Sequence, residues 1–83
     1  MLHATLYGAP GCRRYRRLKR RLAEAAAASS IPLTLEEIHD PAALAQFSPL
    51  TLPRLYVEGH LVASRNVPSA ASLRRLLKAQ NRA

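Results

Sequence analysis

Apolar positions in the first half of the chain follow spacings that predict a strand, a helix and a second strand. Apolar and polar residues alternate over Leu2–Tyr7, a run rich in β-forming residues, so we expect the first strand there. From Cys12 to Ala28 the apolar residues recur every three or four positions, as in a helix that buries one face. The second strand is expected at Leu33–Ile38. The buried face of the helix carries Tyr15, Leu18, Leu22, Ala25 and Ala26.

The second half of the chain is divided by proline, glycine and cap residues into a short helix, a hairpin and a final helix. Asp40 can accept backbone N–H bonds at the start of a helix, which we place at Pro41–Phe47. Ser69 is the corresponding N-cap of the last helix. The remaining predicted elements are a loop at Ser48–Pro53, strands at Arg54–Glu58 and Leu61–Ser64 around a Gly59-His60 turn, and a helix at Ala70–Gln80.

The order of these elements defines the expected fold class. A βαβ unit sets two parallel strands side by side through a right-handed crossover, and the αββα segment adds an antiparallel hairpin to the same sheet. We therefore predict one α/β domain over residues 1–83, with a four-stranded mixed sheet and helices on both faces. No apolar run is long enough to span a bilayer, and the first residues lack the regions of a signal peptide. We expect a monomeric, cytoplasmic protein with no membrane partner.

Positive charge is concentrated on the first predicted helix. The chain has 13 Lys and Arg against 5 Asp and Glu, a net charge of +8, and seven of these cations lie between Arg13 and Arg21. A solvated helix face explains this run as well as an anionic partner does. If there is a partner, we expect it to contact Arg16, Arg17 and Arg20, and to be an acidic protein or a nucleic acid bound through its phosphates.

Cys12 is the only cysteine, and it stands where the Gly8–Gly11 loop meets the first helix. Free backbone N–H groups and the helix dipole favour an anion there, and the adjacent Arg13 and Arg14 add positive charge. These features favour an exposed, reactive thiolate; the alternative is a small, buried structural cysteine. One cysteine excludes an internal disulfide. The three histidines, His3, His39 and His60, are too scattered to suggest a metal site. We interpret His39 and His60 as solvated loop residues.

Three segments of the chain resemble thioredoxin-fold proteins. Gly8–Tyr15, between a strand and an amphipathic helix, looks like their active-site segment, where these families carry Cys-x-x-Cys or Cys-x-x-Ser. Thr51–Val62 resembles the segment with a cis-proline before the third strand and hairpin. Arg65–Ser69 and the helix after it are similar to the end of small glutaredoxin-like, redox-active-disulfide proteins.

This resemblance implies a thioredoxin-like βαβαββα fold, a cis peptide bond at Leu52-Pro53 and a catalytic site formed by Cys12, Tyr15 and Pro53. In such folds the proline loop lies beside the active-site sulfur, so the backbone of Leu52 is expected to pair with an extended substrate. Tyr15 stands where the second cysteine would be, so redox activity requires a monothiol mechanism. Tyr15 is expected to pack over the sulfur or to donate its hydroxyl to it, unless it only begins the buried helix stripe.

No resident cofactor or metal is expected, and the expected partner is a thiol or disulfide substrate or glutathione as an outside thiol. Arg13, Arg14 and Arg54 can hold its carboxylates as bidentate forks. The Gly-Gly and acidic pair that such glutaredoxins place after the fourth strand is missing, since residues 63–66 read Ala-Ser-Arg-Asn. We predict a glutaredoxin-like thiol-disulfide oxidoreductase that acts through Cys12. The alternative is a non-catalytic thioredoxin-fold module that binds an acidic partner or nucleic acid through its arginine-rich helix.

Overall fold

A computed structural model describes residues 1–82, which form four strands, three helices and one 3-10 turn. All the predicted elements are present, which confirms the order read from the apolar pattern. Along the chain they are β1 (Leu2–Tyr7), α1 (Arg13–Ala28), β2 (Leu33–Ile38), α2 (Pro41–Leu44), the 3-10 turn (Pro49–Thr51), β3 (Arg54–Val57), β4 (His60–Ser64) and α3 (Ala70–Arg82).

The four strands form one mixed sheet in the order β2-β1-β3-β4. β1 runs parallel to β2, with Leu2 opposite Leu33, and antiparallel to β3, with Tyr7 opposite Arg54. The β3–β4 hairpin completes the sheet. This arrangement confirms the predicted α/β fold class. Because β1 and β3 are antiparallel neighbours, the loop that leaves β1 and the loop that enters β3 meet at the same edge of the sheet.

The core lies between one face of the sheet and the pair α1 and α3, which pack against each other. On the opposite face, the segment around α2 covers part of the sheet, where its Phe47 ring packs edge-on against Tyr7 with centroids 5.0 Å apart. Helices therefore flank both faces, but unequally. The core residues from the sheet and the two long helices include Leu6, Leu55, Val57, Leu18, Leu22, Leu73 and Leu77.

The cap residues hold the helix ends as predicted. The Asp40 carboxylate accepts a bond from the Ala43 N–H at 3.3 Å, and the Ser69 hydroxyl accepts one from the Ser72 N–H at 3.1 Å. The predicted helix at Pro41–Phe47 is too long, since α2 ends at Leu44. The chain turns there instead, and Phe47 packs on Tyr7 rather than continuing the helix.

The hairpin turn lies one residue earlier than predicted, at Glu58-Gly59, and His60 begins β4. Both turn residues have positive φ, 51° for Glu58 and 78° for Gly59. A left-handed backbone is unfavourable for glutamate, but its carboxylate accepts a bond from the His3 N–H at 2.6 Å. Its own N–H donates to the His3 carbonyl at 2.9 Å, so contacts with β1 fix the turn.

Within residues 1–82, none of the helices is both long enough and apolar enough to cross a lipid bilayer.

Candidate active site

A pocket of about 220 Å³ lies where the loop after β1, the start of α1 and the loop before β3 meet. Cys12 and Tyr15 line it from α1, and Leu52 and Pro53 line it from the opposite loop. The Leu52-Pro53 peptide bond is cis. The sheet topology thus brings together residues that are about forty positions apart in the chain, and the three residues expected to form a catalytic site share one cavity.

Cys12 is the N-cap of α1, with an extended backbone at φ −74° and ψ 130°. Its N–H donates to the Ala9 carbonyl at 3.0 Å, and its carbonyl accepts from the Arg16 N–H at 3.1 Å. Its side chain makes no capping hydrogen bond. The residue is half-buried and unbridged, so its sulfur is neither sealed in the core nor fully in solvent.

Gly8 allows the two walls of this pocket to approach each other. A Cβ at Gly8 would lie 2.6 Å from Cδ2 of Tyr15 and 3.3 Å from Cβ of Pro53, and the first distance is too short for a contact between two carbon atoms. In the sequence, Gly8 only begins the loop after the first predicted strand. The close packing of Tyr15 and Pro53 against it involves contacts that form only in the folded chain.

The Tyr15 ring begins the buried stripe of α1 and also lines the Cys12 pocket. Its hydroxyl does not donate to the sulfur, as one sequence expectation had it, but donates to Oε1 of Glu37 at 2.6 Å. Nε2 of His39 lies 2.7 Å from the same hydroxyl oxygen. Since the hydroxyl has one proton and Glu37 receives it, His39 satisfies the contact by donating from Nε2.

Both titratable groups of the Tyr15–Glu37 pair are shifted by this contact. Burial, reinforced by the hydrogen bond to Glu37, raises the pKa of Tyr15 well above its usual value. The hydrogen bond from Tyr15, followed by the one from Lys19, lowers the pKa of Glu37. Lys19 Nζ lies 3.1 Å from the second Glu37 oxygen, so one carboxylate joins two α1 side chains to β2.

Sequence reasoning missed Glu37 and placed His39 among solvated loop residues. His39 is exposed, but its ring contacts Tyr15 edge-on with centroids 5.3 Å apart. The predicted strand order contained a signal for both residues. Glu37 and His39 lie at the carboxyl end of β2, which is parallel to β1, so they reach the same sheet edge as the loop that carries Cys12.

The arginines expected to bind substrate occupy two different surroundings. Arg13 and Arg14 are exposed in the first turn of α1, directly after Cys12. Arg54 is half-buried, and its guanidinium lies 4.5 Å from the centre of the Phe47 ring and 5.7 Å from that of Tyr56. Arg54 does not line the Cys12 pocket, but Phe47 lines an adjoining open groove of about 590 Å³ that shares Leu52 with it.

The cations expected to meet an anionic partner, Arg16, Arg17 and Arg20, are all exposed on α1. Two other α1 cations are engaged within the fold. Lys19 pairs with Glu37, and Arg21 donates to the Pro68 carbonyl at 3.1 Å. In the part of the chain that the structure describes, no three His, Cys, Asp or Glu side chains are grouped to hold a metal ion.

The fold and this pocket define a thioredoxin-like protein, with a cysteine at the start of α1 facing a cis-proline loop. A family model described as "Thioredoxin domain" matches residues 5–78. The chain therefore belongs to the thioredoxin-domain family, which confirms the resemblance seen in the sequence. A search of curated proteins found no significant match.

Proposed function

We propose that this protein is a thiol-disulfide oxidoreductase that works by a monothiol mechanism through Cys12. The observation that carries the proposal is the half-buried, unbridged Cys12 at the N-cap of α1, in one pocket with Leu52 and cis-Pro53. A helix N-terminus favours a thiolate over a thiol, and the pocket opposite it can accept the substrate's disulfide.

The reaction starts with attack of the Cys12 thiolate on a substrate disulfide that carries glutathione. A bond forms between Sγ of Cys12 and the glutathione sulfur while the substrate's S–S bond breaks, and the substrate sulfur leaves as a thiolate that takes a proton from water. A second glutathione thiolate then attacks the mixed disulfide. It forms oxidised glutathione and restores the Cys12 thiolate. One disulfide is thus exchanged for another: the substrate sulfur is reduced to a thiol, and the sulfur of the second glutathione is oxidised to the disulfide level.

The residues around Cys12 have distinct roles in this proposal. Tyr15 occupies the place of a resolving cysteine and supplies an apolar wall, which leaves the release step to an outside thiol. The Leu52 N–H donates to the Pro49 carbonyl at 3.3 Å, so we assign substrate pairing to the Leu52 carbonyl. Arg13 and Arg14 are free to bind the carboxylates of glutathione. Arg54 lines neither the pocket nor the adjoining groove, but its guanidinium packs against the Phe47 ring that lines the groove.

A turnover assay with a glutathionylated peptide and reduced glutathione tests the proposal. Wild-type protein is expected to accelerate release of the peptide thiol, and Cys12→Ser is expected to abolish the acceleration because the chain has no other cysteine. Lys78→Gln, a change at an exposed position of α3 that does not line the pocket, is the control and should retain the rate. Equal rates for wild type and Cys12→Ser would contradict the proposal.

A further inference from the structure

The positive charge of the molecule is confined almost entirely to one layer. Eleven of its 13 Lys and Arg residues belong to α1 and α3, which carry a single acidic residue, Glu24. These two helices pack side by side on the same face of the sheet. The other acidic residues lie outside this layer, on β2 and in the connections. The helical layer is thus a cationic surface set apart from the acidic groups that could neutralise it.

Among residues 1–81, whose side chains the structure describes, the fold leaves most of these cations without an ionic partner. Lys19 with Glu37 is the one pair of a Lys or Arg with a carboxylate in that range. Arg13, Arg16, Arg17 and Arg20 are exposed and make no side-chain hydrogen bond there. Their spacing of three and four residues puts them in one stripe, opposite the buried face of α1. Exposed cations of α3 extend the charged surface: Arg74, Arg75 and Lys78.

The arginine stripe does not stabilise α1, so helix stability does not explain its presence. Its cations lie in the half of the helix where the macrodipole is positive, while the last turn contains no basic residue and the first turn no acidic one. Like charges four residues apart, such as Arg13 with Arg17 and Arg16 with Arg20, repel each other. Both effects oppose helix formation, and an external polyanion reverses both of them.

The residue types exposed on the α1–α3 layer indicate which kind of polyanion it can bind. Apart from alanines, its exposed positions are polar, so the surface lacks the apolar anchors of a protein–protein interface or a membrane-inserting helix. It also lacks an exposed aromatic residue on which unpaired bases could stack. We propose that the α1–α3 layer binds the phosphate backbone of double-stranded nucleic acid, with the Arg13–Arg20 stripe at its centre and without reading the base sequence.

Fluorescence anisotropy with a labelled duplex DNA of arbitrary sequence tests this proposal. Contacts to several phosphates predict a fall in affinity of about a hundredfold or more between about 50 and about 200 mM salt. The triple variant Arg16→Gln/Arg17→Gln/Arg20→Gln is expected to bind more weakly and to reduce the salt slope by about one for each arginine removed. The variant should unfold at no lower urea concentration than wild type, because it relieves repulsion within α1.

Arg17→Gln and Arg65→Gln form a matched pair, since each removes one exposed arginine, from the stripe or from the β4–α3 connection. Only the first is expected to weaken binding. Retained affinity in the triple variant, or salt-independent binding, would overturn the proposal. So would equal affinity for poly-glutamate or for anionic lipid vesicles, which would identify an acidic protein or a membrane as the partner. Cys12→Ser should bind like wild type, so the test is independent of the thiol chemistry.

Discussion

Gly8 illustrates how one residue shapes the pocket around Cys12. It ends the buried run of β1 and lies against both the Tyr15 ring and Pro53. Any side chain at Gly8 would push Tyr15 and Pro53 away, although neither residue is close to Gly8 in the sequence. The shape of the pocket around Cys12 therefore depends on the absence of a side chain at Gly8, as well as on the position of Cys12 at the start of α1.

Replacing Gly8 by alanine is expected to destabilise the protein by about 1–3 kcal/mol, because the new methyl group overlaps Tyr15 and must displace it. Urea denaturation measures the loss. Gly11→Ala is the matched control. It is in the same loop, a Cβ there would meet no atom within 4 Å, and we expect a change of less than about 0.5 kcal/mol. Equal stability of Gly8→Ala and wild type would disprove the close packing of Tyr15.

Single residues also mark the limit of prediction from sequence. The position of Cys12 at a helix start follows from local signals, namely the glycines before it and the apolar spacing after it. The partners of the Tyr15 hydroxyl, Glu37 and His39, are 22 and 24 residues away, and no local pattern relates them to it. The left-handed Glu58 is similar, because its conformation depends on a hydrogen bond to His3 across the sheet.

Elements were predictable where one face is buried continuously. The stripe of α1 and the alternation in β1 gave their limits to within one residue, because burial imposes a regular spacing. α2 was overestimated because it buries no residue, so nothing but its cap and the following turn sets its length. The Tyr15–Glu37 hydrogen bond, at 2.6 Å, is shorter than the 3.1 Å contact of Lys19 with the same carboxylate. Because it involves an ionisable carboxylate, it makes the attachment of α1 to β2 depend on pH.

Tyr15→Phe tests this link between elements. Near neutral pH, loss of the bond to the Glu37 carboxylate is expected to cost about 1 kcal/mol. The lowered pKa of Glu37 means that its ionised form stabilises the fold above the unfolded value of about 4.3, and that this contribution disappears as the pH falls below it. The raised pKa of Tyr15 likewise makes its contribution disappear above about pH 10.

Urea denaturation of wild type and Tyr15→Phe from pH 3 to pH 11 measures this dependence. The stability difference should be largest between about pH 5 and pH 9 and should shrink on both sides. Tyr56→Phe is the control, since the Tyr56 hydroxyl accepts from Nε of Arg54 and, within the described residues, donates to no carboxylate. Its stability difference should not shrink below pH 5. A difference for Tyr15→Phe that stays constant down to pH 3 would contradict the assigned contact.

At the scale of the whole molecule, the pocket around Cys12 lies at the start of α1, the helix that carries most of the positive charge. Cys12 is the N-cap of α1, and the arginine stripe of that helix starts at the next residue. The open groove adjoins the Cys12 pocket through Leu52, and the stripe residues Arg16, Arg17 and Arg20 line neither of them. The two proposals therefore share Arg13 and otherwise assign thiol exchange and polyanion binding to different residues.

The central claim is that folding turns Cys12 into a reactive nucleophile, and the rate of its reaction with oxidised glutathione at pH 7 tests this most directly. Intact-mass spectrometry can follow the mixed disulfide in the folded protein and in the same chain unfolded in urea. We expect the folded protein to react at least about tenfold faster, because the pocket beside Cys12 can hold the disulfide in position for attack by the sulfur. An equal or slower rate in the folded protein would contradict it.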